Sequence, residues 1–234
     1  MQKKEYLAII PARKGSKRLP NKNIKNLGGH PLISWTIRAA LDSKYLNDVM
    51  VSTDSVEIAE ISKHYGASIP FIRPDHLAKD DSSSFDVVKH VIDFYKNNGI
   101  EYENIVLLQP TSPLRTSNEI DNAIEMQVIK NANSITSVCE VDHSPLWTGT
   151  IPIDNSMRGF LNLNSKVNRS KDLETYYRLN GAIYIVKTSR ILEEKSFISQ
   201  EKSFAFKMGR EQSVDIDTIL DFKLASLILQ DHED

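Results

Sequence analysis

Residues 6–42 read YLAIIPARKGSKRLPNKNIKNLGGHPLISWTIRAALD. The apolar run at 6–10 predicts a buried strand, and the amphipathic segment at 32–42 predicts a helix with Pro31 in its first turn. The same alternation continues along the chain, with strands expected at 48–52, 104–108, 134–141 and 181–187, and helices at 55–65, 84–98, 116–130 and 218–229. This order predicts an α/β fold with an open, mostly parallel Rossmann-like sheet and helices on both faces.

The composition limits the kinds of partner the chain can have. Of 234 residues, 40% are hydrophobic and 26% are charged, which predicts a folded domain with a sizeable core. The 29 Lys and Arg residues nearly balance the 31 Asp and Glu residues, and a net charge of −2 argues against a nucleic-acid or anionic-membrane partner. A single cysteine, Cys139, excludes an internal disulfide. No apolar stretch is long enough for a membrane span or a signal peptide, so we expect a cytoplasmic protein.

The regular alternation stops between residues 142 and 177, which are polar, irregular and rich in proline and glycine. That length is too great for a plain connector. We therefore divide the chain into a core domain, 1–141 with 178–234, and an insertion lobe at 142–177. Aromatic residues such as Trp147 and Phe160 on an irregular lobe predict an oligomer contact, although they could instead pack back on the core.

The loop after the first strand is strongly basic. Residues 6–41 contain seven Lys and Arg residues and no acidic residue. In an open α/β sheet such a loop lies at the carboxyl end of a strand, where ligands bind. Backbone N–H groups at Gly15 and Ser16, with Arg13 and Lys22, would suit a polyphosphate. The loop matches neither the P-loop nor the dinucleotide-binding pattern, which disfavours a P-loop ATPase and a Rossmann dehydrogenase. A solvated basic surface loop remains the simpler alternative.

Two carboxylates, Asp215 and Asp217, stand two residues apart. In an extended segment both side chains share one face. Beside a polyphosphate they would form an oxygen site of the kind that Mg²⁺ uses together with water and phosphate ligands. Asp217 could instead only cap the helix expected at 218–229.

Six segments, in order, resemble the motifs of CMP-sialic acid synthetases, the N-acylneuraminate cytidylyltransferases, a family that includes CMP-legionaminic and CMP-pseudaminic acid synthetases. These segments are 9–24, 52–54, 73–78, 108–115, 178–185 and 215–218. The resemblance covers nearly the whole chain. It implies an enzyme that joins the CMP unit of CTP to a nonulosonic acid, such as sialic or legionaminic acid, and releases pyrophosphate. It also implies Mg²⁺ as the cofactor, with Mn²⁺ as the alternative ion.

The resemblance further implies roles for individual residues. Catalysis falls to Arg13, Lys22, Asp215 and Asp217, and the two aspartates hold the metal. The nucleotide contacts are Ala12, Arg13, Gly15, Ser16, Lys22, Asn23, Arg73, Ser82 and Ser84. The sugar contacts are Gln109, Arg169, Arg178, Asn180 and Tyr184. Simpler interpretations remain for some of them, because serines before a helix are often only caps and an Asn-Gly pair is a turn signal.

The insertion lobe carries one departure from the family pattern. Some sialic acid synthetases have a lysine where this chain has Trp147, which cannot pair with a carboxylate, so the acidic sugar is held differently here or is another nonulosonic acid. The resemblance also implies a homodimer whose lobe reaches the neighbour's sugar site, around Phe197 and Ile198. Two other functions are compatible with the residues alone: a nucleotide-sugar glycosyltransferase with a metal-binding acidic pair, and a non-catalytic nucleotide-binding module.

Overall fold

The computed structural model describes residues 1–79, 81–160 and 174–231. Its strands are β1 Gln2–Pro11, β2 Asn26–Leu27, β3 His30–Pro31, β4 Asp48–Ser52, β5 Ile100–Leu107, β6 Ser134–Glu140, β7 Tyr177–Lys187 and β8 Ser203–Lys207. One sheet has the spatial order β4-β1-β5-β7-β6-β8, and β2 and β3 form a separate hairpin. The mostly parallel α/β architecture expected from the sequence is thus confirmed.

The α-helices are α1 Leu32–Leu41, α2 Val56–His64, α3 Ser84–Asn97, α4 Ser117–Lys130, α5 Thr188–Glu194 and α6 Ile219–Asp231. Local sequence sets several of their ends. The Ser55 hydroxyl accepts a hydrogen bond from the backbone N–H of Ile58 at the start of α2. Thr116 and Glu119 form the capping box expected at the start of α4. The five helices expected from the sequence begin and end within two residues of the expected positions.

Strand direction and several short elements, among them the β2–β3 hairpin, differ from the expectation. β7 runs antiparallel to both β5 and β6, and it begins at Tyr177 rather than at residue 181. β8 was not predicted, because its alternate residues are only half buried and give no apolar run. The short helix α5 was not predicted either. As a result, the amino end of β7 lies at the same edge of the sheet as the carboxyl ends of β1, β4 and β5.

The core has one layer on each face of the sheet. In β1, Ala8 and Ile10 belong to the layer that contains α1, α2 and α4, whereas Leu7 and Ile9 belong to the layer that contains α3 and α5. This alternation follows from the two-residue period of a strand. Each large apolar side chain buried in this way contributes about 1.5–3 kcal/mol. Two-sided burial explains why β1 reads as an unbroken apolar run.

A third apolar cluster lies beside the sheet and joins the two ends of the chain. Leu19 and Leu27 from the loop after β1 pack against Ile216 and Phe222, which lie just before and within α6. Leu114, from the loop after β5, completes the contact. This cluster holds the basic loop against the segment that carries the two aspartates.

The described part of the insertion lobe is irregular, as expected. Residues 142–160 and 174–176 contain a short 3₁₀ turn at Pro145–Trp147, and Trp147 is 41% exposed. Residues 161–173 lie outside the described residues, so the division into a core and a lobe stays a prediction. In the described ranges, no helix is long and apolar enough to cross a membrane.

We predict that Phe222→Ala lowers the free energy of unfolding by about 3–5 kcal/mol, because it leaves a cavity beneath the basic loop. Leu220→Ala is the matched control, since Leu220 lies on the same helix and is 73% exposed. Its effect should stay within about 0.5 kcal/mol. Urea unfolding measures both. Equal effects would show that α6 does not anchor the loop through this cluster.

Candidate active site

The basic loop follows β1 and bends back across the end of the sheet. Ala12 is buried, and its backbone N–H donates to the carbonyl of Ser52 at 2.9 Å, which extends the pairing of β1 with β4. Asn21 adopts a left-handed conformation with φ of 55° and leads into the 3₁₀ turn Lys22–Ile24. Gly15, between these points, is exposed with open space around it. The loop is therefore fixed at both ends, and its middle part around Gly15 is exposed.

A cleft of about 550 Å³ opens between this loop and the neighbouring strand ends. Its lining includes Arg13, Ser16, Lys17, Arg18, Lys22, Asn23, Arg73, Lys79, Ser82, Ser84, Gln109, Thr111 and Asp217. Among the described residues that line it, six are cationic and one, Asp217, is acidic. Such a concentration of positive charge beside a carboxylate suits a polyphosphate that carries a divalent cation.

Asp217 lines this cleft, and Asp215 lies close to it outside the lining. Burial raises the pKa of Asp215, a hydrogen bond from Thr111 opposes that shift, and the charge of Asp217 adds to it. The Asp217 carboxylate accepts hydrogen bonds from Lys22 Nζ at 3.1 Å and from Arg18 Nη1 at 2.7 Å. Lys22 Nζ also donates to the carbonyl of Ile216 at 2.6 Å.

Asp217 does not cap α6, because other side chains do so. The Asp221 carboxylate accepts hydrogen bonds from the backbone N–H groups of Asp217 and Thr218, at 3.1 and 2.7 Å. The Thr218 hydroxyl donates to the same oxygen at 2.8 Å. The carboxylate of Asp217 is therefore turned toward the basic loop, where it pairs with Lys22 and Arg18.

The acidic pair fits a hard cation that takes most of its ligands from elsewhere. In the described part of the chain, no group of three or more His, Cys, Asp or Glu side chains could hold a metal. Mg²⁺ commonly binds through one or two carboxylates, with the remaining positions filled by water and substrate phosphates. Asp215 and Asp217 supply that number of carboxylates next to the cationic cleft.

The opposite side of the cleft offers unused hydrogen-bonding groups. Arg73 is buried, its Nη2 lies 3.8 Å from Asp54 Oδ1, and burial lowers the pKa of its guanidinium. Asn23 donates from Nδ2 to the carbonyl of Arg13 at 3.0 Å. Within the described ranges, Arg73 Nε and Nη2 and Asn23 Oδ1 have no hydrogen-bond partner. Buried polar groups are rarely left unpaired, so two donors and an acceptor in this cleft indicate a ligand with the complementary pattern.

A smaller cleft of about 240 Å³ shares Ser84 and Gln109 with the first. Tyr184, Phe197 and Ile198 also line it. The pKa of Tyr184 is raised by burial and, secondarily, by the charge of Asp215, which places this side chain near the acidic pair. The two clefts together therefore form a continuous site with a charged part and a largely apolar part.

Gln109 has a tightly defined position between the two clefts. Gly181, in β7, has a φ of 74°, and a Cβ there would lie 2.7 Å from Gln109 Oε1. Arg115 is buried and donates to the carbonyls of Gln109 and Ala182, at 3.3 and 2.9 Å. Its burial lowers the pKa of the guanidinium to about 9. The loop after β5 is thus fastened to the start of β7.

The structure brings together most of the residues expected at the site, but of the described ones Ala12, Gly15, Arg178, Asn180 and Asp215 lie outside both cleft linings. Asn180 is buried, and its amide is used by Ser137 and Ser213, so its side chain supports the strand beneath the site. Arg178 lies outside both cleft linings but is close enough to Asp215 to lower the pKa of that carboxyl. Gly15 is also outside both linings, and Arg169 lies outside the described residues.

Sequence reasoning missed several residues at the site, among them Lys17, Arg18, Lys79, Thr111 and Arg115. All of these except Lys79 lie inside segments that were singled out, at 9–24 and 108–115. A run of cations in the sequence does not show that Arg18 is the one that pairs with Asp217. An arginine in a loop, such as Arg115, is normally expected to be exposed. The contacts of these residues in the folded structure are needed to identify them.

Comparison with known proteins gives one consistent family. Residues 7–231 match the family described as "Cytidylyltransferase". The "CMP-N,N'-diacetyllegionaminic acid synthase" of Legionella pneumophila is 38% identical, with 96% of each chain covered. The "N-acylneuraminate cytidylyltransferase" of Escherichia coli is 40% identical over 97% of this chain, which spans about half (52%) of that relative's length.

A solved structure shares the fold. CMP:2-keto-3-deoxy-manno-octonic acid synthetase complexed with CTP has a TM-score of 0.72 at 16% identity, with 97% of this chain and 99% of the other covered. At that identity the likeness concerns the architecture alone. It agrees with the mostly parallel sheet described above.

We predict a pH-dependent stability effect at the start of α6. Although burial acts the other way, hydrogen bonds from Thr218 and Asp217 lower the pKa of Asp221. Asp221→Ala should cost about 1 kcal/mol at pH 7. Because the folded pKa lies below the unfolded value of about 3.9, this contribution is complete above that pH and is lost as the pH falls through the lowered pKa.

Urea unfolding of the parent and of Asp221→Ala between pH 7 and pH 3 measures the difference. Asp231→Ala, at the other end of α6, is the control and should show no such trend. A cost that stays constant down to pH 3 would contradict the assigned cap.

Proposed function

Because the chain belongs to the cytidylyltransferase family, we infer that it transfers the CMP unit of CTP to a nonulosonic acid and releases pyrophosphate. The observation that carries this inference is the cleft that joins six cations and the Asp217 carboxylate, with Asp215 beside it, to unpaired hydrogen-bonding groups. A glycosyltransferase would bind a diphosphate, and the number of cations favours the more highly charged triphosphate.

The nucleotide is held by residues from three loops. Arg13 and Lys22, with the backbone of Ser16, take the phosphates. The unpaired donors of Arg73 and the unpaired oxygen of Asn23 match a base that presents acceptors beside an amino group, as cytosine does. A base with the opposite pattern would leave these buried groups unpaired, which disfavours its binding.

The transfer is an in-line displacement. The anomeric hydroxyl of the sugar attacks the α-phosphorus, a new oxygen–phosphorus bond forms, the bond to the leaving pyrophosphate breaks, and the hydroxyl proton is released to water. Positioning and charge neutralisation supply most of the catalysis in such reactions. Arg13 and Lys22 stabilise the charge on the phosphates. Asp215 and Asp217 would hold Mg²⁺, or Mn²⁺ as the alternative, which supplies further charge neutralisation when bound.

The smaller cleft takes the sugar. Gln109, fixed by Gly181 and Arg115, lies between the two clefts and orients the attacking hydroxyl. Tyr184 lines the same space. Arg178, whose charge helps to lower the pKa of Asp215, stays a proposed sugar contact, and Arg169 stays a prediction. The substrate is assigned as the class of nonulosonic acids, without a choice among its members.

We predict that pyrophosphate is released from CTP only when a nonulosonic acid is present, and that Asp217→Asn lowers turnover about 100-fold. Asp217 is 46% exposed, so the variant should fold normally. The measurement is pyrophosphate release with saturating Mg²⁺ against a panel of nonulosonic acids.

Asp231→Asn removes the same charge from the far end of α6 and serves as the control. It should retain the parent rate. Turnover of Asp217→Asn within threefold of the parent would contradict the metal assignment. Release of pyrophosphate without any acceptor sugar would contradict the proposed reaction.

The insertion lobe at 142–177 is assigned as a dimerisation lobe that covers the sugar site. Its described part exposes Ile151, Ile153 and Met157, and Leu179 at the start of β7 is exposed beside it. Exposed apolar residues at such density support a protein contact. The partner is a second copy of this chain, related by a two-fold axis.

We predict sedimentation of the full chain at micromolar concentration as a species of about twice the chain mass. Ile153→Asp should shift the equilibrium toward the monomer, because it places a charge within the apolar contact. Glu57→Lys, on the outer side of α2, is the control. A fully active monomer of the parent would contradict the role of the lobe.

A further inference from the structure

Both oxygens of Asp217 are paired with cations that differ in freedom. Lys22 Nζ contacts Oδ1 at 3.1 Å, and Arg18 Nη1 contacts Oδ2 at 2.7 Å. The Lys22 side chain is 12% exposed and is also fastened to the carbonyl of Ile216. The Arg18 side chain is 73% exposed. Lys22 is therefore a fixed neighbour of the carboxylate, whereas Arg18 can leave it at little cost.

The Arg18 contact conflicts with the assignment of Asp217 as a metal ligand. A divalent cation needs direct access to a carboxylate oxygen, and a guanidinium hydrogen-bonded to that oxygen competes for it. Arg18 also lines the cleft assigned to the triphosphate, together with Arg13 and Lys22. The planar guanidinium pairs with phosphate oxygens through two parallel hydrogen bonds, which favours a transfer from Asp217 to the nucleotide.

We propose that Arg18 is an exchangeable phosphate ligand: it pairs with Asp217 in the nucleotide-free protein and moves to the triphosphate when CTP binds, which leaves Asp217 Oδ2 open to the metal. This inference rests on the proposed function. Its consequence is that CTP and the divalent cation assist one another through Arg18. By thermodynamic linkage, the factor by which bound CTP raises the affinity for the metal equals the factor by which the bound metal raises the affinity for CTP.

The test uses Mn²⁺ as the probe and CTP without sugar, so that no turnover occurs. Electron paramagnetic resonance of free Mn²⁺ gives the affinity for the metal alone, and calorimetry in EDTA gives the affinity for CTP alone. Arg18→Gln should bind Mn²⁺ about fivefold more tightly than the parent and CTP about fivefold more weakly, the scale of one exposed ion pair. Arg18→Lys keeps the charge but loses the planar fork, so its Mn²⁺ affinity should stay near that of the parent while its CTP affinity falls.

Lys14→Gln is the matched control, because it removes one positive charge from the same loop. Lys14 is absent from the lining of the cleft and lines a small neighbouring pocket, which shares Arg13 and Asn23 with the cleft. If only the loss of positive charge mattered, the Mn²⁺ affinities of Arg18→Gln and Lys14→Gln would change by the same factor. Equal Mn²⁺ affinities in Arg18→Gln and Lys14→Gln would therefore overturn the exchange. So would a change in only one of the two Arg18→Gln affinities, because an exchange requires both partners.

The parent protein separates this inference from the function on which it rests. If the parent binds neither Mn²⁺ nor CTP, the proposed function fails. If the parent binds both and Arg18→Gln matches Lys14→Gln, the function stands and the exchange fails. Urea unfolding of each variant verifies folding, and Arg18→Gln should match the parent because Arg18 is exposed.

Discussion

The site depends on one ammonium group, that of Lys22, which joins the beginning of the chain to its end. It donates to the carbonyl of Ile216 and pairs with the carboxylate of Asp217, 194 and 195 residues away in sequence. The apolar contact of Leu19 with Ile216 and α6 lies beneath it and excludes water from that side. The ammonium group and this apolar contact together hold the basic loop against the acidic segment. The basic loop and the proposed metal ligands are therefore positioned by contacts between residues far apart in sequence.

The same junction explains how so many like charges can stay close together. Six cations line one cleft, and their mutual repulsion opposes folding in the absence of an anion. Apolar packing of α6 and backbone carbonyls hold the loop against this repulsion. The unpaired groups of Arg73 and Asn23 add a further cost. Both costs are relieved when a polyanionic nucleotide binds, so the free protein is already arranged for its substrate.

Much of the fold could be predicted from the sequence, because helix and strand periods are local properties. The apolar run in β1 and the capping box at Thr116 predicted the correct elements. Strand direction is not encoded in a period, so the antiparallel course of β7 could not be predicted. At the site, residue types were predictable but their partners were not. Asn180 serves the fold rather than the cleft, and the helix cap falls to Asp221 instead of Asp217, because packing decides which of several polar groups is buried.

The antiparallel course of β7 has a consequence for how selectivity can change over evolutionary time. Glu140, at the end of β6, pairs with Tyr177, at the start of β7, and the N–H of Val141 donates to the carbonyl of Tyr176 at 3.0 Å. Both attachment points of the lobe are thus neighbours, and both lie at the catalytic edge of the sheet. The entropy cost of closing a loop grows only slowly with its length. Insertions, deletions and exchanges in this one segment, the proposed cover of the sugar site, can therefore be accommodated while the sheet, the cationic cleft and the acidic pair are inherited unchanged.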